Sequence, residues 1–173
     1  MNDFSHKNLL DLEFGEASAR GNLAVSFQDV ETAAEEKYIV FFLNDEGYAV
    51  SAKYVTEVIA PPPLTPLPKT PGWFLGIANL RGKIISVIDL PGFWNRKSAS
   101  SPKSKLILLN SKTTDSQIAF AVEKLGELIV VQNSEIEPAG GDVSDDFCGK
   151  IKYKSTIVNL LDAERLFSAL KPA

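Results

Sequence analysis

Gly76-Ile77-Ala78-Asn79-Leu80-Arg81-Gly82-Lys83-Ile84-Ile85-Ser86-Val87-Ile88-Asp89-Leu90 is the stretch on which the reading of this chain turns. Two apolar, strand-like runs meet at Arg81-Gly82, with Asn79, Arg81 and Asp89 as polar exceptions. A glycine directly after the arginine permits a tight turn or bulge, because it adopts positive φ without a Cβ clash. A single cation held at a strand corner between core-like segments suits a docking surface better than an active site. Partner recognition by a small β domain is therefore the expectation.

Working outward, the texture is that of short strands from Tyr38 onward. Tyr38–Leu43 is apolar on both faces, Asn44-Asp45-Glu46-Gly47 reads as a turn, and Tyr48–Val50 is expected to pair back as a hairpin. Val55–Ile59 follows as a strand, with Thr56 and Val58 on one face and Val55, Glu57 and Ile59 on the other. Six of the ten prolines then fall in Pro61–Pro71. Proline donates nothing to a sheet ladder, so this is an extended connection. It contains PxxP twice, which also fits a ligand for a polyproline-binding module; core-like flanks favour a stiff crossover within the fold.

Asn95–Lys105 is polar, serine-rich and basic, and it divides the β region into two halves. It reads as a solvated loop between lobes, or alternatively as a site for an anionic partner. Strand texture resumes at Leu106–Leu109, Ile118–Val122, Leu128–Val131, Lys150–Tyr153 and Thr156–Leu160, with turns at Lys112–Ser116 and Gly126 and a flexible acidic loop at Gly140–Asp146. Asp162 is placed to cap a short helix whose Leu166, Phe167 and Leu170 share a face. Two β lobes of similar length and a terminal helix suggest paired small barrels, which bury strand edges by closure.

Composition bounds the function. A chain of 173 residues holds one domain or two small barrels, and hides roughly 70% of its unfolded surface without staples. Residues 1–36 carry eight acids against two bases, leaving 14 acids and 16 bases in residues 37–173. The body is nearly balanced behind an acidic leader that reads as a flexible or partly helical tail, and a nucleic-acid binder would show a basic excess there. No apolar run approaches the ~18 residues of a membrane span. No signal sequence is expected, and the single Cys148 fits a reducing cytoplasm. His6 is the only histidine and no phosphate-cradling glycine motif is present, so no catalytic residue, metal or cofactor is assigned.

Val55-x-Glu57-Val58-Ile59, a proline-containing connection ending Pro71-Gly72-Trp73-Phe74-Leu75-Gly76, and then Ile77-x-Asn79-Leu80-Arg81-Gly82 through Val87-Ile88-Asp89-Leu90 together resemble the CheW-like family of chemotaxis coupling proteins. The resemblance covers residues 37–170. It implies a mainly β fold of two intertwined, SH3-like five-stranded barrel lobes with a short C-terminal helix, the lobes here divided near residues 95–105. It implies a non-catalytic adaptor, cytoplasmic and recruited to membrane-associated arrays. Its partners would be the cytoplasmic hairpin of a methyl-accepting chemoreceptor and the regulatory domain of a CheA-like histidine kinase. By position, Glu57 and Arg81 match residues implicated in receptor coupling; Asn79, Gly82 and Asp89 match the motif, and Val55, Val58, Ile77 and Leu80 would supply apolar contact area. Asn79, Gly82 and Asp89 serve a turn-stabilising role equally well, and Glu57–Arg81 is either a contact site or a clamp between strands. Ser86, Pro91-Gly92-Phe93-Trp94 and Ala121-Val122-Glu123-Lys124 depart from the family pattern. The aromatic pairs and long leader look more like the PilI branch of type IV pilus twitching systems. The competing expectation is an SH3-like module binding nucleic acid or a proline-rich peptide through the basic 95–105 loop.

Overall fold

The structure is a computed structural model, and it describes residues 34–98, 105–140 and 146–170. Eleven strands and two short helices follow in chain order: β1 (Glu35–Leu43), β2 (Glu46–Ser51), β3 (Val55–Ile59), β4 (Phe74–Leu80), β5 (Lys83–Ile88), α1 (Leu90–Phe93), β6 (Lys105–Asn110), β7 (Gln117–Val122), β8 (Lys124–Gln132), β9 (Glu137–Pro138), β10 (Phe147–Tyr153), β11 (Thr156–Leu161) and α2 (Ala163–Leu170). They form a six-stranded sheet in the order β8-β1-β2-β11-β10-β9 and a five-stranded sheet in the order β3-β6-β7-β5-β4. The sixth strand of the first sheet is the two-residue β9. The fold is thus two intertwined SH3-like lobes with a short C-terminal helix.

The lobes do not part at residues 95–105. The first sheet takes β1 and β2 from one end of the chain and β8 to β11 from the other, while β3 to β7 lie between them in sequence. Parallel pairings of β2 with β11 and of β5 with β7 stitch distant segments together, and no linker position separates them. The boundary of the leader shifts as well: Glu35 and Glu36 are strand residues, Glu36 paired with Lys53 at 2.6 Å. Residues 1–33, on which the flexible-leader expectation falls, lie outside the described residues.

Strand alternation explains why so many runs are apolar on both faces. In β6, Leu106 and Leu108 fill the interior of the five-stranded lobe, whereas Ile107 and Leu109 point into a third core between the lobes. In β7, Ala119 and Ala121 fill the lobe interior; Ile118, Phe120 and Val122 face the shared core. In β1, Val40 packs within the six-stranded lobe, and Phe41 and Leu43 enter the shared core beside Tyr48 and Val50 of β2. In β7 the small alanines face the lobe interior and the larger residues join the two lobes. Each buried Phe or Leu contributes roughly 1.5–3 kcal/mol, so the shared core fixes how one lobe sits on the other.

The turns follow the residue types. Asn44-Asp45 takes positive φ at both positions, 50° and 63°, giving a two-residue hairpin in place of the four-residue turn expected. Gly126 is not a turn. It lies within β8, where a Cβ would meet the Val40 side chain at 2.9 Å. A bulge between Val55 and Glu57 breaks the alternation of β3, so that Val55 and Val58 both pack against the shared core instead of on opposite faces. Asp162 caps α2 by accepting the Arg165 amide at 3.1 Å, and Leu166 and Phe167 are buried.

Two further ties hold the lobes. Trp94, just past α1, donates its indole N–H to the buried Asp146 carboxylate at 2.8 Å, and its ring lies 4.9 Å from that of Phe147. Asp146 therefore belongs to the packed body; residues 141–145 of the expected acidic loop lie outside the described ones. Arg96 donates to Glu46 at 2.8 Å and to the Tyr48 hydroxyl at 3.0 Å.

Candidate functional site

The corner at Arg81-Gly82 is built from the backbone outward. Both residues have positive φ, 51° and 84°, and close a two-residue hairpin between Leu80 and Lys83. Asn79 Oδ1 accepts the Gly82 amide at 2.9 Å, satisfying a donor that the turn leaves over. Asn79 thus performs the turn-stabilising role expected of its side chain, and a Cβ at Gly82 would meet nothing within 4 Å. The hairpin carries the Arg81 side chain into solvent at 84% exposure, where its guanidinium donates to the Glu57 carboxylate at 3.1 Å.

Glu57 is 25% exposed and stands on β3, one edge of the five-stranded sheet; Arg81 stands at the tip of the β4–β5 hairpin, at the other edge. The pair therefore spans the opening of the lobe. Beneath it is a shallow hollow of about 170 Å³ lined by Thr56, Glu57, Leu80, Arg81, Lys83 and Ile85 among others. As an exposed pair in high dielectric it contributes only ~0.2–1 kcal/mol to stability.

The remaining predicted residues separate into two groups. Leu80 is half-buried beside the pair, packing on the five-stranded lobe's interior. Val55 and Val58 are half-buried against the shared core, so only their flanks reach the surface. Ile77 is half-buried, and its amide and carbonyl are both bonded to Thr65. Asp89 does not belong to a contact surface. It is 2% exposed and caps α1, its Oδ2 accepting the Gly92 amide at 2.9 Å while its own amide donates to Trp73.

Several exposed apolar side chains escaped the sequence reading, Ile84, Leu128, Val130 and Ile157 the most exposed among them. Ile84, opposite Asn79 on the hairpin, is 62% exposed; Leu128 and Val130, alternate residues of the edge strand β8, are 58% and 55% exposed. The signal was present in both cases. Ile84-Ile85 and Leu128 to Val131 are uninterrupted apolar runs, and one face of such a run turns outward when the strand ends a sheet or passes its tip.

The basic loop of the competing reading is partly spent within the fold, since Arg96 is held by Glu46 and Tyr48; residues 99–104 lie outside the described ones. Among the described residues no cluster of three or more His, Cys, Asp or Glu side chains could hold a metal, and no helix is long and apolar enough to cross a membrane.

Interleaved SH3-like lobes on a shared core, with an ion pair across one lobe's mouth, define a two-lobed β module. A family model described as the CheW-like domain matches residues 37–171, and the chain belongs to that family. It is 28% identical over 133 residues to the chemotaxis protein CheW of Helicobacter pylori, covering 75% of this chain and 80% of that protein. To CheW of Bacillus subtilis it is 29% identical, covering 77% and 87% respectively. To the protein FrzA of Myxococcus xanthus it is 28% identical, covering 79% and 88%. The crystal structure of the scaffolding protein TtCheW from Thermoanaerobacter tengcongensis superposes with a TM-score of 0.67 at 28% identity, covering 74% of this chain and 89% of that one.

Proposed function

We propose that this chain is a non-catalytic cytoplasmic adaptor that couples a methyl-accepting chemoreceptor to a CheA-like histidine kinase in chemotaxis or pilus-driven motility. Its partners in this reading are the receptor's cytoplasmic hairpin and the kinase's regulatory domain. The observation that carries it is the Arg81 guanidinium, turned outward at a rigid hairpin tip and only loosely held by one carboxylate. Kinship with proteins named for chemotaxis and scaffolding supports the same reading.

In mechanism the chain transmits by geometry. Glu57, Asn79, Leu80, Arg81, Lys83 and Ile84 form one contact rim; Leu128 and Val130 on β8 form another on the second lobe. The shared core and the Trp94–Asp146 bond hold the two lobes at a fixed angle, so a partner on one lobe is positioned relative to a partner on the other. Single contacts of this size are weak, and repetition in an array supplies the avidity. Isothermal titration with a receptor hairpin fragment and, separately, with the kinase regulatory domain tests the proposal. Saturable binding weakened on the order of 30-fold or more by Arg81→Ala supports it; no binding of either partner by the unmodified chain refutes it.

A further inference from the structure

The mouth of the five-stranded lobe is walled by every one of its strands. Thr56 and Glu57 of β3, Leu80 of β4, Ile85 of β5, Leu108 of β6 and Gln117 of β7 enclose the hollow of about 170 Å³ beneath the Glu57–Arg81 pair. Small barrels ordinarily fill their interiors with their own side chains. Here that filling leaves room at one end. Ile85 and Leu108 are buried in the lobe interior and Leu80 packs against the same cluster, so the floor of the hollow is aliphatic. The rim is charged and unbalanced. Arg81 and Lys83 supply two cations against the single Glu57 carboxylate, and among the described residues Lys83 forms no ion pair.

Building on the receptor coupling proposed above, and dependent on it, we propose that this hollow is a socket for one apolar side chain of the receptor hairpin, with an acidic residue beside that side chain engaging Arg81 and Lys83. Size selects the occupant. Pockets for small molecules run to ~300–1,000 Å³; a hollow of about 170 Å³ is on the scale of a single side chain. Chemistry selects its character. The aliphatic floor offers no hydrogen bond, so a polar group pressed onto it is desolvated without compensation, whereas an apolar one gains contact with Leu80, Ile85 and Leu108. The excess cation at the rim selects the neighbouring acid: Lys83 is exposed and the Arg81 guanidinium keeps donors that Glu57 does not use, so a second carboxylate binds without displacing the first. An apolar anchor seated in a pocket and ringed by polar contacts is the anatomy of an interface hot spot.

Insertion is separable from attraction at the rim. In the complex of the unmodified chain with a receptor hairpin fragment, isotope-filtered NOEs should connect hairpin side-chain protons to the methyls of Ile85 and Leu108. Leu108→Phe extends the floor into the hollow and leaves every rim charge in place. It should weaken hairpin binding on the order of tenfold or more by isothermal titration, yet melt within a few degrees of the parent, because the added carbons enter existing space. Lys83→Met should weaken binding a few-fold and lower its salt dependence. Saturable binding without those NOEs, or a folded Leu108→Phe that binds as the parent does, would overturn the socket and leave the coupling role of Arg81 standing; the NOEs decide alone if Leu108→Phe does not fold. An unchanged salt dependence in Lys83→Met would overturn the acidic neighbour. No hairpin binding by the unmodified chain would overturn coupling and socket together.

Discussion

Replacing Trp94 by Phe probes whether the angle between lobes is set by a specific bond or by the core alone. The substitution keeps an aromatic ring near Tyr48 and Phe147, whose rings lie 5.4 and 4.9 Å away, but removes the N–H that reaches Asp146 at 2.8 Å. Asp146 is buried, so its carboxylate loses a donor that water does not readily replace. A hydrogen bond to a charged group is worth about 1.5–3 kcal/mol. Loss of part of the indole's buried area adds ~0.5–1 kcal/mol at 25 cal/mol per Å². Trp94→Phe is therefore expected to cost roughly 2–4 kcal/mol in urea unfolding with an unchanged m-value. The double-mutant cycle with Asp146→Ala isolates the bond itself, with a coupling energy of about 1.5–3 kcal/mol. A coupling below about 0.5 kcal/mol would refute the reasoning, placing the fixed geometry in the shared core and not in this tie.

Two glycines should answer alanine differently. At Gly82 space is open and only the positive φ is penalised, so Gly82→Ala should cost about 1 kcal/mol; at Gly126 the added methyl meets Val40 at 2.9 Å, so Gly126→Ala should cost on the order of 1–3 kcal/mol, both read from denaturant midpoints. The acid limb of stability should depend on Glu36. Burial raises its pKa, but bonds from Lys53, Ser51 and Tyr38 together outweigh this and hold the carboxyl below its ordinary value. The stabilisation is present above the ordinary glutamate pKa of about 4.3 and is lost as pH falls through the lower folded value. Glu36→Gln should accordingly flatten the loss of stability between mildly acidic and strongly acidic pH, as measured by melting temperature against pH. An unchanged acid limb would show that the Glu36 bonds are not formed in solution.

The local elements were the most legible part of this chain. Arg81-Gly82 announced a hairpin because glycine at the second turn position and strand-like flanks admit little else, and Asp162 announced the start of α2 by its side chain. Topology was not legible. The pairing of β2 with β11 joins residues more than a hundred positions apart, and alternation within either strand says nothing about which neighbour it will take. For the same reason the basic stretch after Asn95 looked like a divide between halves, although the sheets interleave across it. Within the site, Arg81 stood out as a cation at a strand corner and Glu57 through the family resemblance, and the structure joins them. Asp89 was left open between contact and turn, because a buried cap and an exposed acid look identical in sequence; the structure makes it a cap. Leu128 and Val130 were missed because an apolar run in an edge strand reads like core.

The contact role of Arg81 stands or falls on separating it from the clamp that the same ion pair forms across the lobe's mouth. Exchanging the two charges does this, since Glu57→Arg combined with Arg81→Glu preserves the intrachain attraction and reverses what a partner meets. The double variant is expected to melt within a few degrees of the parent, because an exposed pair contributes ~0.2–1 kcal/mol, yet to fail to bind the receptor hairpin. Full recovery of binding in the double variant, where each single variant had lost it, would contradict the account and leave Arg81 as a clamp alone.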